Sequence, residues 1–129
     1  MIDLGPGAVG TFCWLDLAAT DADSAKLFYR QMFGWSSSEQ RANGGSFTQL
    51  RLSDQTVASL YQLKREHLEN GIESHWTPYV QVDNVTDAAR RAVPLGGTVI
   101  INPFLVSGVA RIALISDSVG AQIGLWEPL

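Results

Sequence analysis

Two stretches of this chain, about 63 residues apart, repeat one pattern. Ala19 to Gly34 (ATDADSAKLFYRQMFG) and Val82 to Gly97 (VDNVTDAARRAVPLGG) each run sixteen residues from a strand end through a capped helix to glycine. Farther on, Ser53 to Tyr61 (SDQTVASLY) matches Ser118 to Trp126 (SVGAQIGLW) at an offset of 65, with small, apolar and aromatic positions in register. A duplicated supersecondary unit leaves few folds open to 129 residues. Two like modules have to meet at a cleft, and clefts between structural units are where ligands tend to bind.

Local patterning fills in the modules. Alternation predicts a strand over Thr11–Ala19, with Cys13, Leu15, Leu17 and Ala19 on one side and Trp14 and Asp16 on the other. Thr20 or Asp21 can cap a helix in which Ala25, Leu27, Phe28, Met32 and Phe33 recur at helical spacing, and Gly34 suits its end. That helix is expected to cover the apolar side of the strand. Strands follow over Trp35–Glu39, Ser46–Leu52 and Thr56–Gln62, with Asn43-Gly44-Gly45 as a hairpin turn. The pattern restarts with a strand over Thr77–Val82 and a helix over Val85–Leu95, capped near Asn84 and shortened or bent by Pro94. Strands near Thr98–Ile101, Ala110–Ser116 and Ala121–Trp126 complete it. Two helices beside about eight mostly antiparallel strands make the class α+β. One domain over 1–129 is expected, with module one at about 11–63, a linker at about 64–75 and module two at about 76–127.

Charge narrows the partners. A net charge of −4, from only nine Lys and Arg without a basic run, lacks the electrostatic footprint of a nucleic-acid binder. No apolar stretch approaches twenty residues, and MIDLGPGAVG has neither the basic flank nor the apolar run of a signal peptide. A cytoplasmic protein without membrane attachment is expected. One cysteine, Cys13, excludes an internal disulfide, and its apolar neighbours read as core.

Several segments together resemble the vicinal oxygen chelate superfamily, the group of glyoxalase I, bleomycin-resistance proteins and extradiol dioxygenases. They are Leu15-Asp16-Leu17 with Asp21, Phe28-Tyr29 to Phe33-Gly34-Trp35, Tyr79-Val80, Val82 to Val85, Leu95-Gly96-Gly97 and Asp117 to Glu127. The resemblance covers essentially the whole chain. It implies paired βαβββ modules whose eight strands form a half-open barrel around a ligand cavity, with helices outside, in a homodimer. In metal-dependent members it implies four His, Gln or Glu ligands from equivalent strands. Counting back from Phe28-Tyr29 puts the first at Trp14, which the repeat carries to Thr77; the other two fall at Ser59 and Gly124. Trp and Gly offer no side-chain ligand, and Ser and Thr hydroxyls are poor ones beside imidazole or carboxylate. A one-residue shift brings in only Cys13 as a donor. No divalent metal or other cofactor is therefore expected.

Strand parity indicates what would face a ligand instead. If Cys13, Leu15 and Leu17 face the helix, Phe12, Trp14 and Asp16 face the cleft; the same alternation adds Gln49, Arg51, Ser59, Tyr61, Thr77, Tyr79, Gln81, Asp83, Gln122, Gly124 and Trp126, with Arg111 a further candidate. Such a lining suits a small aromatic or hydrophobic molecule sandwiched by Trp14, Tyr61, Tyr79 or Trp126 and oriented by Gln49, Gln81, Asp16 or Arg51. Arg51 or Arg111 could hold a carboxylate or phenolate. The alternative is that the aromatics fill the barrel and the polar groups satisfy one another. An enzyme acting on the same kind of molecule, of lyase or dioxygenase type and with or without a metal, is the other functional reading. In the linker, His67, Glu69, Glu73 and His75 concentrate metal-ligating side chains, but without the helical spacing that puts two imidazoles on one face.

Overall fold

The computed structural model describes residues 7–42 and 45–129. Asn43 and Gly44 of the predicted turn, and residues 1–6 of the lead-in, lie outside the described residues. The chain divides into two compact units, Leu15–Trp76 and the remainder from Thr77 onward with the segment up to Trp14.

In the unit Leu15–Trp76, strand β1 (Phe12–Ala19) leads into helix α1 (Ala22–Phe33), followed by β2 (Ser36–Ala42), β3 (Gly45–Leu52), β4 (Gln55–Gln62) and a five-residue helix α2 (Arg65–Glu69). The Asp21 carboxylate accepts the Ser24 N–H at 3.0 Å and so caps α1. Gly34 ends α1 at φ 76°, a left-handed conformation that glycine takes without steric cost. The strand order here is β2-β3-β4-β1, with β1 and β4 parallel and the rest antiparallel. Leu17, Ala19, Leu50, Ala58 and Leu60 form its core, and Ala22, Ala25 and Tyr29 of α1 pack on it.

The helix therefore covers the strands by a different stripe from the one its large residues suggested. Leu27, Phe28, Met32 and Phe33 are all more than half exposed. The small residues Ala22 and Ala25 let α1 approach the sheet closely, and Tyr29 completes the contact. Around Tyr29, the rings of Phe33 and Trp35 stack at 6.0 and 5.2 Å, and Trp76 donates its indole N–H to the tyrosine oxygen at 3.2 Å. Helix α2 occupies part of the predicted linker. The chain thus has three helices among the described residues, where two were expected.

In the other unit, the start of β1 lies beside β5 (His75–Gln81), with Gly10 N–H bonded to the Gln81 carbonyl and Gln81 N–H to the Thr11 carbonyl. Helix α3 (Val85–Ala92) and strands β6 (Thr98–Val106), β7 (Ala110–Ser116) and β8 (Gln122–Pro128) follow. The order is β1-β5-β8-β7-β6, with β5 and β8 parallel. Asn84 caps α3 through Asp87 N–H at 3.0 Å, and Glu127 accepts Val85 N–H at 2.9 Å. Val85, Ala88 and Ala89 bury against Ala113 and Leu125. The helix ends at Ala92, two residues before Pro94, whose ring cannot continue it. Strand β6 is five residues longer than Thr98–Ile101, continuing through Pro103 with register shifts against β7.

Both units have the β-α-β-β-β order that the repeat predicts, and the eight strands form a mixed sheet with helices on one face of each unit.

Candidate functional site

Each unit has a face turned away from its helix, and parity sends most of the expected site residues there. In the unit holding α3, this face is aromatic. Tyr79 is buried, and Trp14 and Trp126 are half-buried beside it. Trp14 and Trp126 stack with centroids 5.4 Å apart and planes at 28°, and Tyr79 meets Trp126 edge-on at 5.9 Å. These are the offset and T-shaped arrangements that ring quadrupoles favour. Tyr79 sits opposite Gly124 in the β5–β8 register, with its ring directly over the glycine. A Cβ added to Gly124 would run into the ring carbons of Tyr79, so only glycine fits under the ring. The buried Thr77 accepts a hydrogen bond from Gln122 Nε2 at 2.8 Å. Gln81 accepts the Gly7 N–H on its side-chain oxygen at 3.3 Å. Cys13 is buried in the same cluster, and burial pushes its thiol up to about 11, far from a reactive thiolate. Asp83 lies beyond the end of β5 and is exposed.

Arg111 does not join this face. It alternates with Ile112 and Leu114, which pack among the aromatics, and shares parity with Ala113 under α3. Its guanidinium is exposed and lies 3.9 Å from Glu127, the carboxylate that also caps α3. The cross-strand pairing Arg111–Glu127 and Ile112–Trp126 makes the distinction. That Glu127 holds a helix end had a sequence signal only in its position after Trp126, which suggested nothing more than a strand end.

In the unit holding α1, the helix-free face is polar. Asp16 lies opposite Ser59 in the parallel β1–β4 register, and the Ser59 hydroxyl donates to its Oδ1 at 2.6 Å. Burial raises the Asp16 carboxyl to about 6, against the opposing pull of the Ser59 hydrogen bond and nearby His75. The Tyr61 hydroxyl is likewise pushed up, by burial and then by Asp16. Gln49 is the β3 partner of Ser59, and its side-chain oxygen accepts from Thr56 at 3.4 Å and from Arg51 at 3.5 Å. Arg51 is occupied within its own hairpin, donating to Thr56 Oγ1 at 2.8 Å and to the Asp54 carbonyl at 2.7 Å. This unit also has a shallow pocket of about 300 Å³ lined by Arg30, Gly34, Trp35, Ser36 and Ser37, none of them an expected site residue.

At the four positions where the resemblance would place a cation, Trp14 is stacked on a second tryptophan, Ser59 is committed to Asp16, Thr77 to Gln122, and Gly124 lies under a ring. This donor set does not fit a divalent metal. Among the described residues no three His, Cys, Asp or Glu side chains converge into a possible metal site. In the linker, His67 Nδ1 accepts Lys64 N–H at 3.3 Å as part of a cap, and His75 Nδ1 bonds to the Glu73 carbonyl at 2.8 Å.

Comparison with known proteins agrees with the fold. No family model matches the sequence. The chain is 33% identical over 120 residues to the protein of Mycobacterium tuberculosis named "Putative glyoxylase CFP32", covering 92% of this chain and 46% of that one. It is 28% identical over 131 residues to the anthracycline biosynthesis protein DnrV of Streptomyces peucetius, covering 93% and 48%. It thus spans about half the length of the curated relatives it matches. Methylmalonyl-CoA epimerase from M. tuberculosis superposes with a TM-score of 0.65 at 19% identity, over 98% of this chain and 95% of that one. These relatives and structural neighbours are of the vicinal oxygen chelate superfamily, and its fold is the one the chain has. Among the described residues, no helix is long and apolar enough to cross a membrane.

Proposed function

We propose that this chain is a metal-independent binding member of the superfamily, taking a small aromatic or hydrophobic molecule on the helix-free faces of its sheet. The observation that carries the reading is the state of the four positions expected to hold a cation. They offer two hydroxyls, an indole and no side chain at all, and the hydroxyls already have partners. In the unit holding α3 stand three aromatic rings, Trp14, Tyr79 and Trp126, a lining that recognises a flat apolar body. The anthracycline biosynthesis relative supports the same ligand class, because anthracyclines are fused-ring aromatic compounds. Sequestration of such a compound, as drug-binding resistance proteins of the superfamily perform it, is the role this reading assigns.

The reading includes a cytoplasmic location and a homodimer. The exposed apolar residues Leu27, Phe28, Met32 and Phe33 of α1 support self-association.

A second reading, an enzyme acting on the same ligand, is favoured by one feature, the near-neutral buried carboxyl of Asp16. The names of the glyoxylase and epimerase relatives point the same way.

The test is elemental analysis of purified protein together with a thermal-shift screen of aromatic metabolites. Binding without stoichiometric metal is expected. Stoichiometric Ni, Zn, Fe or Mn would overturn the metal-independent reading, and the absence of any aromatic hit would overturn the ligand class.

A further inference from the structure

The pocket of about 300 Å³ in the unit Leu15–Trp76 is built where α1 ends and β2 begins. Arg30 lines it from the last turn of α1, Gly34 makes the turn, and Trp35, Ser36 and Ser37 line it from the entry to β2. Gly34 leaves it room, since a Cβ added there would meet nothing within 4 Å. The Trp35 ring is half-buried and held by Tyr29, stacked at 5.2 Å, and by Phe33, tilted at 5.1 Å. A wall fixed in this way loses little freedom when a ligand meets it. The polar groups are less committed. Ser36 donates only a long bond, 3.5 Å, to the Arg51 carbonyl. Among the described residues, no carboxylate pairs with the Arg30 guanidinium and no group pairs with the Ser37 hydroxyl. The one acid of α1, Asp23, and the one acid of β2, Glu39, both lie at Lys26 instead. A cation in the last turn also suits the negative end of a helix, but that accounts for Arg30 alone and not for the pocket, the hydroxyl or the fixed indole.

We propose that this pocket is a further ligand site, taking a single-ring aromatic carboxylate with its acid group on Arg30 and Ser37 and its ring against Trp35. Both uncommitted side chains can donate and one is a cation, which selects an anion over a neutral or cationic group. A carboxylate meets the guanidinium fork with two parallel bonds. A volume of about 300 Å³ is at the small end of ligand pockets and sets the size, while the indole selects an aromatic body. The inference does not depend on the aromatic face of the other unit.

The test is an NMR titration of the isotope-labelled protein at neutral pH with benzoate, benzamide, acetate and benzylamine. Benzoate should shift the amides of Gly34, Trp35, Ser36 and Ser37 and the Trp35 indole to saturation. It should bind about threefold tighter than benzamide, the margin of an exposed ion pair, and lose that margin in high salt. Acetate should bind more weakly than benzoate, because it leaves the Trp35 wall uncovered. Arg30→Gln should bring benzoate down to the level of benzamide and, at an exposed position, leave the rest of the spectrum in place. Ser37→Ala, also exposed, should weaken benzoate and not benzamide. Equal binding of benzoate and benzamide, a preference for benzylamine, acetate that matches benzoate, or a benzoate affinity unchanged in Arg30→Gln would each overturn the proposal. Shifts confined to Tyr79, Gly124 and Trp126 would overturn it too, while supporting aromatic binding on the other unit.

Discussion

The two helix-free faces began as copies of one module and now differ in kind. Beside α3, rings pack on rings and the hydroxyl of Thr77 is answered by Gln122, so the face is nearly self-sufficient. Beside α1, a carboxyl, a serine, a glutamine and a tyrosine occupy the equivalent surface. Equivalent positions of the two modules thus present different groups. Duplication has fixed the scaffold here and left the chemistry of each copy free to drift.

The contrast can be broken most forcefully on the aromatic side. Trp126→Ala removes the stack on Trp14 and the edge contact with Tyr79, and should cost about 3–5 kcal/mol in chemical denaturation. A loss below about 1 kcal/mol would mean that this face is open rather than packed. Gly124→Ala drives a methyl into the Tyr79 ring and should cost about 1–3 kcal/mol. Adding Tyr79→Ala should recover part of that loss, and a double-mutant cycle without coupling would show that the ring does not close the position.

On the polar side the expected sign is opposite. Burial holds the Asp16 carboxyl at about 6, above its ordinary 3.8, so between these values the folded protein keeps a proton that the unfolded chain has released. Its contribution to stability is complete below about pH 4 and lost as pH rises through about 6. Asp16→Asn should therefore stabilise the protein at pH 7 by about 1–2 kcal/mol and flatten the slope between pH 4 and 6 in urea titrations. Destabilisation at pH 7 would mean that the carboxylate supports the fold. The smallest effect belongs to Arg111→Ala, within about 0.5 kcal/mol, because its ion pair with Glu127 is exposed.

Much of the scaffold was legible in the sequence because the signals were local. Asp21, Asn84 and Gly34 mark helix ends by cap chemistry, and β7 falls on Ala110–Ser116 as alternation predicts. Helix α2 was not legible, since five residues with a single apolar one, Leu68, carry no periodicity. Of the apolar residues that periodicity gave to α1, Ala25 packs on the sheet while the large ones stay exposed, because close packing on a sheet favours small side chains. At the site, parity placed Trp14, Tyr79, Trp126, Asp16 and Ser59 on the helix-free faces. It gave no means of knowing that Trp14 meets Trp126 across 112 positions of chain, or that Arg51 spends its donors on its own turn. Arg111 had no alternating neighbour pattern strong enough to fix its side, and cross-strand pairing with Glu127 decided it.

The Tyr79 ring resting on Gly124 also bears on the history of this lineage. A histidine or glutamate arriving at position 124 would collide with the ring before it could bind anything, and a smaller residue at position 79 would open a hole before it gained a use. Each change at this pair is therefore harmful alone. The arrangement works as a ratchet, holding positions 79 and 124 to the residues they now carry.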